Sequence, residues 1–196
     1  FHLRFVLRAK HHMCHRVYPL LSSLYFTMPF AAAPHRILMM SIAYDVLTAA
    51  VAGTMVGNEF AITAFVHPQL NRLSPEAHAD ASSSIARALG KVMPFWYAVT
   101  FLLILGALFE HRPITGGSGI FIAAAALLWA TAILFSITIL VPINNRIASI
   151  RDQPHPTWLQ DRCRWDRLHR IRVEILIVGL LLLLTGLFGG FTVHPG

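Results

Sequence analysis

Four long apolar blocks dominate the sequence and limit what it can fold into. They run over residues 42–66, 92–109, 119–143 and 173–191. A helix needs about 20 apolar residues to cross roughly 30 Å of hydrocarbon, and each block meets or nearly meets that length. Only 13% of the 196 residues are charged, against roughly a quarter in a soluble domain. The sequence therefore predicts an all-α integral membrane protein, a four-helix bundle formed by residues 37–196.

The first 36 residues form a basic, His-rich segment followed by a moderately apolar run. That order resembles a signal peptide, but Pro19 and Pro29 weaken the apolar run. We interpret residues 1–36 as an N-terminal arm that is surface-bound or half-inserted. His11, His12 and His15 give an HHxxH pattern without the glutamate that a zincin helix needs, so no metal site is expected.

The positive charges gather beside the apolar blocks. The net charge is +7, and ten cations fall in residues 67–91 and 144–172, which four spans place on one side of the membrane. The positive-inside rule assigns that side to the cytoplasm and explains the charge without nucleic acid. We expect a lipid bilayer as partner, the cytoplasmic (inner) membrane of a bacterium as location, and no nucleic acid.

An acid lies inside the first apolar block. Glu59 precedes His67 by about two helical turns, roughly 11 Å, which places it within the hydrocarbon zone. A charged residue at mid-membrane costs roughly 2.5–3.5 kcal/mol, so Glu59 needs a partner or a proton. It is either a functional group or a protonated or Arg-paired structural acid. Asp45, on a similar stripe, is interpreted as an interfacial acid near the opposite surface.

The last apolar block is preceded by RCRWDRLHRIR. In it Trp165, His169 and Arg172 are spaced four and three apart, which puts them on one helical face, and Arg162 extends the stripe. The face leads into the membrane, where a surface that only binds phosphates does not need an imidazole.

The alternative for this segment is the start of an amphipathic helix. Its arginines would meet lipid phosphates, and its tryptophan would belong to the aromatic belt. This alternative explains Arg164 and Arg167 well, while Asp166 and Arg170 are spaced to form an i,i+4 pair.

The third block ends in VPINNR. Pro142 is expected to interrupt the helix, and Asn144 and Asn145 either cap the helix end or line a cavity. Near the start of the second block, Trp96 lies in FWY, where an aromatic belt is the default explanation. Two glycine pairs, Gly53 with Gly57 and Gly186 with Gly190, have the spacing that lets membrane helices approach closely.

Polar residues from all four spans fall toward the same membrane face. They are Glu59, His67, Trp96, Asn145, Trp165, His169 and Arg172. An aromatic-walled apolar pocket with a few polar groups is the usual makeup of a small-molecule site. The sequence therefore predicts a pocket for a hydrophobic small molecule.

The motifs GNEFAITAFVHPQL, KVMPFWYA, VPINNRI and RWDRLHRIRVEI resemble the bacterial branch of the anthrone oxygenase-like membrane family. The resemblance covers residues 44–191 and implies a four-helix membrane fold. For fungal members it implies oxidation of polycyclic anthrones with O2 and no added cofactor. The positions that match the family pattern are Asn145, Trp165, His169 and Arg172, with Asn58 and Glu59.

The resulting hypothesis is a cofactor-independent oxygenase that acts on a hydrophobic polycyclic phenol or anthrone-like substrate. His169 would be the base, Arg172 would stabilise the phenolate or enolate, and Asn145 would orient the carbonyl. Glu59 would hold His169 or Arg172 by a charge-assisted hydrogen bond. The residues expected to bind substrate are Trp96, Trp165, Asn144, Asn58 and His67.

A second hypothesis from another class remains open. A non-catalytic membrane subunit or binding module would hold a lipid, quinone, haem or metal in the same pocket, with His67 and His169 as ligands. A transporter is the third, since one acid and four spans give a thin ion pathway unless the protein forms a homo-oligomer.

Overall fold

The computed structural model describes residues 33–150 and 156–189. Packing divides the chain into two units, Phe1–Met40 and Ser41–Gly196. Nearly all of the predicted N-terminal arm lies outside the described residues, and the described part of the first unit is the beginning of a helix at Ala33. The contacts below belong to the second unit.

The described residues fold into helices and turns, and they contain no strand. Helix α1 (Ala33–Ala61) continues through a π-helical turn (Ile62–Val66) into α2 (His67–Leu70), and α3 follows (Pro75–Glu110). Helix α4 (Gly117–Phe135) continues through a second π-helical turn (Ser136–Leu140) into α5 (Val141–Ala148), and α6 comes last (Trp158–Phe188). The predicted all-α fold class is confirmed.

Four helical stretches are long and apolar enough to cross a membrane. We call them the first to fourth spans: Leu38–Leu70, Pro75–Glu110, Gly117–Ala148 and Trp158–Phe188. They fit an integral membrane protein, and they contain the first three apolar blocks and residues 173–188 of the fourth. The helices also reach into segments expected to be loops. Helix α3 has 36 residues and is about 54 Å long, which exceeds the roughly 30 Å of hydrocarbon.

Both π-helical turns precede a proline. Pro68 and Pro142 each come two residues after the end of a π-helical turn. A proline inside a helix lacks an N–H and clashes with the carbonyl four residues earlier, and a π-turn relieves this by inserting one residue. The expectation that Pro142 interrupts the helix was therefore wrong, because the third span continues to Ala148.

Small residues bring α4 and α6 together. A Cβ added at Gly186 would lie 2.5 Å from Ile122 Cγ1, and one at Gly179 would lie 3.3 Å from the Trp129 ring. These glycines therefore allow a close helix contact, as expected for Gly186.

The other predicted glycine contacts differ. An added Cβ at Gly53 or Gly57 meets nothing within 4 Å, so that pair does not mediate packing among the described residues. Gly190, the expected partner of Gly186, lies outside the described residues.

The second and third spans are tied together near their loop-side ends. Arg87 Nη1 donates to the carbonyl oxygens of Ala148 at 3.1 Å and Ile150 at 3.4 Å. One turn closer to the apolar segments, Asn144 Nδ2 donates to the carbonyl oxygen of Ala86 at 3.2 Å. These contacts close the gap between α3 and α5 at that end.

The opposite end of α3 pairs with the first span. Asp45 is 7% exposed, and its Oδ2 lies 3.1 Å from His111 Nε2, just after α3 ends. This contact fits the expected position of Asp45 far from Glu59.

Candidate functional site

The candidate site centres on Glu59 of α1. Its side chain is 1% exposed, and both carboxylate oxygens accept hydrogen bonds. Tyr97 of α3 donates its hydroxyl to Oε1 at 2.9 Å, and Arg172 of α6 donates Nη2 to Oε2 at 2.7 Å. The pairing with arginine that was expected for a structural Glu59 is therefore present, and a functional role for the acid stays a prediction.

Arg172 connects three spans. Besides Glu59 on the first, its Nη1 donates to Ser136 Oγ at 3.1 Å on the third, and Nη2 lies 2.9 Å from His169 Nδ1 on the fourth. A guanidinium offers five donors in a rigid plane and stays charged, so it can hold several acceptors in a fixed arrangement. The network fixes the carboxylate, the imidazole and the hydroxyl relative to one another.

The contacts of His169 constrain where its proton lies. Arg172 can only donate, so the 2.9 Å contact makes Nδ1 an acceptor and leaves the proton of a neutral ring on Nε2. Nδ1 is also 3.3 Å from Glu59 Oε2, a separation that suits the opposite tautomer. His169 Nε2 is buried and has no hydrogen-bond partner among the described residues.

The predicted stripe on α6 is confirmed. Arg162, Trp165, His169 and Arg172 are all buried. The Trp165 ring stacks on the His169 ring at 4.5 Å between centroids and 14° between planes, which holds the imidazole flat against the indole.

The surface alternative for α6 applies to different residues. Arg164, Arg167 and Arg170 are exposed, as expected for arginines at a membrane surface. Asp166 pairs with Arg162 at 2.8 Å, although the atoms fall outside hydrogen-bond geometry. The structure thus places Arg162, rather than Arg170, beside this carboxylate.

His67 lies behind His169. The two rings are 5.2 Å apart, and His67 also meets the Trp165 ring edge-on at 5.3 Å. Its Nδ1 is 3.5 Å from Asp166 Oδ1.

In an unbroken α-helix, eight residues such as those from Glu59 to His67 turn through about 80° beyond two full turns. The inserted π-turn residue cancels most of that angle, so Glu59 and His67 face the same neighbour.

A cavity of about 530 Å³ lies beside this network. Its walls are largely apolar side chains from α3 and the third span, and the Glu59 network forms its polar end. Cavities of roughly 300–1,000 Å³ with apolar walls and a few convergent polar groups are typical small-molecule sites. The predicted pocket is therefore present.

The cavity brings six of the predicted site residues together. They are Glu59, Asn144, Asn145, Trp165, His169 and Arg172. Asn144 and Asn145 lie inside α5, which ends at Ala148, so neither is a helix cap. Asn145 is exposed where it meets the cavity, whereas Asn144 is half-buried and bonded to Ala86.

Three predicted substrate-binding residues lie outside the cavity wall. Trp96 packs against the main apolar core, and it lies one residue, about 100° of helix rotation, away from Tyr97, which lines the cavity. Asn58 donates to Met93 Sδ at 3.8 Å and is likewise one residue from Glu59. His67 reaches the site only through the rings of Trp165 and His169. Direct contact of these three with a ligand is not supported by this arrangement.

Sequence reasoning missed Tyr97 and Ser136. Tyr97 was grouped with the aromatic belt, and no motif marked Ser136. A usable signal existed for Tyr97, because Pro94, Tyr97 and Phe101 recur at helical spacing and all line the cavity. Within the described residues, no group of three or more His, Cys, Asp or Glu side chains could hold a metal ion.

The family described as anthrone oxygenase matches residues 81–182, slightly more than half of the chain. The matched segment holds Tyr97, Ser136, His169 and Arg172, while Glu59 precedes it. No curated protein and no solved structure matches the chain.

Proposed function

Because the chain belongs to the anthrone oxygenase family, we propose that it is a membrane-embedded oxygenase that acts on a hydrophobic polycyclic phenol or anthrone-like molecule. It would use O2 and no added cofactor. The observation that supports this most is the apolar cavity that ends in the buried Glu59–Arg172–His169 network. We also propose that the protein lies in the inner membrane of a bacterium.

The reaction needs a base and a group that stabilises an oxyanion. The base removes a proton from the activated CH2 group, and the electron pair left on carbon reduces O2 to a carbon-bound peroxide. The peroxide is protonated, and loss of the second C–H proton with cleavage of the O–O bond yields a carbonyl and water. One CH2 and one O2 thus give one C=O and one H2O.

His169 is the proposed base. To accept a proton at Nε2, the ring must carry its own proton on Nδ1 and donate it to Glu59 Oε2, 3.3 Å away. Arg172 must then give up its contact with Nδ1, and the enclosed Nε2 must become accessible from the cavity. A substrate oxyanion that attracts the guanidinium would favour this change, because the anion replaces Nδ1 as acceptor.

Arg172 is proposed to stabilise the enolate or phenolate oxygen, and Asn145, exposed at the cavity, to orient the carbonyl. Glu59 would hold both Arg172 and His169. Trp165 forms part of the aromatic wall on which a planar ring system can lie.

The test is O2 consumption and quinone formation with 1,8-dihydroxyanthrone, using the purified protein in lipid nanodiscs. Loss of a general base typically lowers the rate about 10²–10⁴-fold, so we expect His169→Ala to lower the rate of O2 consumption by that factor. Arg172→Lys should be similarly damaging because it loses the planar fork, and the double change should cost little more than either alone. Arg164→Lys is the matched control, since Arg164 is an exposed arginine on the same helix.

Two results would count against this assignment. Equal damage from Arg164→Lys and Arg172→Lys would favour a membrane-surface role for both arginines. No oxidation of the anthrone above the protein-free rate, in folded protein, would argue against the oxygenase.

A binding module is the second candidate, and the enclosure of His169 Nε2 favours it. Because Nδ1 faces Arg172 and Nε2 is enclosed, the cavity walls can hold an apolar molecule such as a lipid or quinone without any chemistry by His169. The visible spectrum and metal content of the purified protein discriminate between the two. A Soret band or stoichiometric metal would support the binding module.

A further inference from the structure

The cavity has an opening between the second and third spans. Pro94, Ala98 and Leu102 follow one another at four-residue spacing on α3, line the cavity and are exposed. Across the gap, Ile137 and Val141 also line the cavity and are exposed. The two rows form what we call the lateral opening.

The opening faces outward. Leu102 is 65% exposed, Ile137 62% and Val141 42%, and the same residues line the cavity, so the cavity wall is continuous with the accessible surface of the helices here. All five belong to the second and third apolar blocks, which carry no charged residue. An outer surface at that level meets lipid chains.

Both ends of the gap are closed. On the loop side, Arg87 and Asn144 bond across it to carbonyl oxygens of α5 and α3. Toward the other end, Ile104 and Trp129 are fully buried in the apolar core. The gap is therefore open in its apolar middle, with the Glu59 network deeper in the cavity.

We propose that the ligand enters sideways from the bilayer through the lateral opening, which selects uncharged aromatic molecules dissolved in the hydrocarbon. The reaction that the ligand undergoes rests on the proposed function, whereas the route of entry rests on the lateral opening alone. A molecule carrying a sulfonate or sugar would have to bring that group into hydrocarbon, where an ionic or unpaired polar group is costly. A ligand with a single carbonyl or hydroxyl oxygen can instead replace that oxygen's hydrogen bonds to water with hydrogen bonds to the polar groups at the end of the cavity.

The test uses benzophenone, an uncharged aryl ketone that inserts into C–H bonds under ultraviolet light. The protein in nanodiscs is illuminated with benzophenone in the lipid, and labelling of Met93, which lines the cavity, is read by peptide mass spectrometry. Ala98→Trp and Val141→Trp narrow the opening from its two walls. Val99→Trp is the matched control, because Val99 is 50% exposed on the same helix and does not line the cavity.

We expect each narrowing variant to reduce Met93 labelling roughly tenfold, equivalent to 1.4 kcal/mol, and Val99→Trp to leave it unchanged. Benzophenone-4-sulfonate added to the water should label Met93 roughly tenfold less than benzophenone does. Equal labelling by the sulfonate, unchanged labelling in both folded narrowing variants, or no labelling of Met93 at all would overturn the proposal. Because no oxidation is measured, labelling as expected in a protein without oxygenase activity would keep the route and refute only the proposed reaction.

Discussion

Replacing Glu59 with Gln tests the ion pair at the centre of the site. The change keeps the shape of the side chain but removes the charge that faces Arg172 at 2.7 Å. Glutamine also has an NH2 donor in place of one carboxylate oxygen. Either Arg172 or Tyr97 would then face a donor where it now donates to an acceptor. Removing one partner of a buried ion pair typically costs about 3–5 kcal/mol, so we expect the free energy of unfolding to fall by that amount.

Reversible unfolding in mixed detergent micelles, followed by circular dichroism, measures this change. Glu174→Gln is the control, because Glu174 is an exposed acid on α6 and should change stability by less than about 0.5 kcal/mol. Glu59→Lys should be worse than Glu59→Gln, since it places two cations together inside the bundle.

The double variant Glu59→Gln with Arg172→Gln gives the coupling between the two residues. If the pair interacts as described, the double change should cost clearly less than the sum of the single changes. Additive effects, or a cost of Glu59→Gln no greater than that of Glu174→Gln, would refute the reasoning.

Three further predictions follow from the packing and the sequence. Tyr97→Phe removes the hydroxyl that donates to Glu59 and should lower stability by about 1–3 kcal/mol, measured by the same unfolding assay. Gly106→Ala should cost about 1–3 kcal/mol because its Cβ would overlap Tyr44, whereas Gly53→Ala meets open space and should be tolerated. For topology, a cysteine placed at exposed Gln160 should resist an impermeant thiol reagent added to intact cells, and labelling from outside would reverse the assigned orientation.

The spans could be predicted from the sequence because the signal is compositional. Hydrocarbon length and the exclusion of charge determine where a membrane helix can lie, and the apolar blocks satisfy both. The buried stripe from Arg162 to Arg172 was predictable for a similar reason, since α6 is regular and a spacing of three or four fixes a face.

The exact cavity wall could not be predicted, because it depends on helix rotation and on the π-turns. A choice between Trp96 and Tyr97 requires the orientation of α3 to within about 100°, which composition does not supply. The register shift at Ile62–Val66 places His67 behind His169, whereas membrane depth alone placed it at the pocket. Asn144 and Asn145 were ambiguous because a proline can end a helix or continue it through a π-turn.

The Glu59–Arg172 pair also has a consequence for biosynthesis. The two residues are 113 positions apart in the chain, which at 5–20 residues per second corresponds to about 6–23 s of translation. During that interval the first span carries its acid without the arginine that later neutralises it, so the acid needs a temporary partner or a proton. A ribosome that stalls before the fourth span is complete would therefore leave a fragment with an unpaired intramembrane acid, a feature by which quality-control proteases could recognise it.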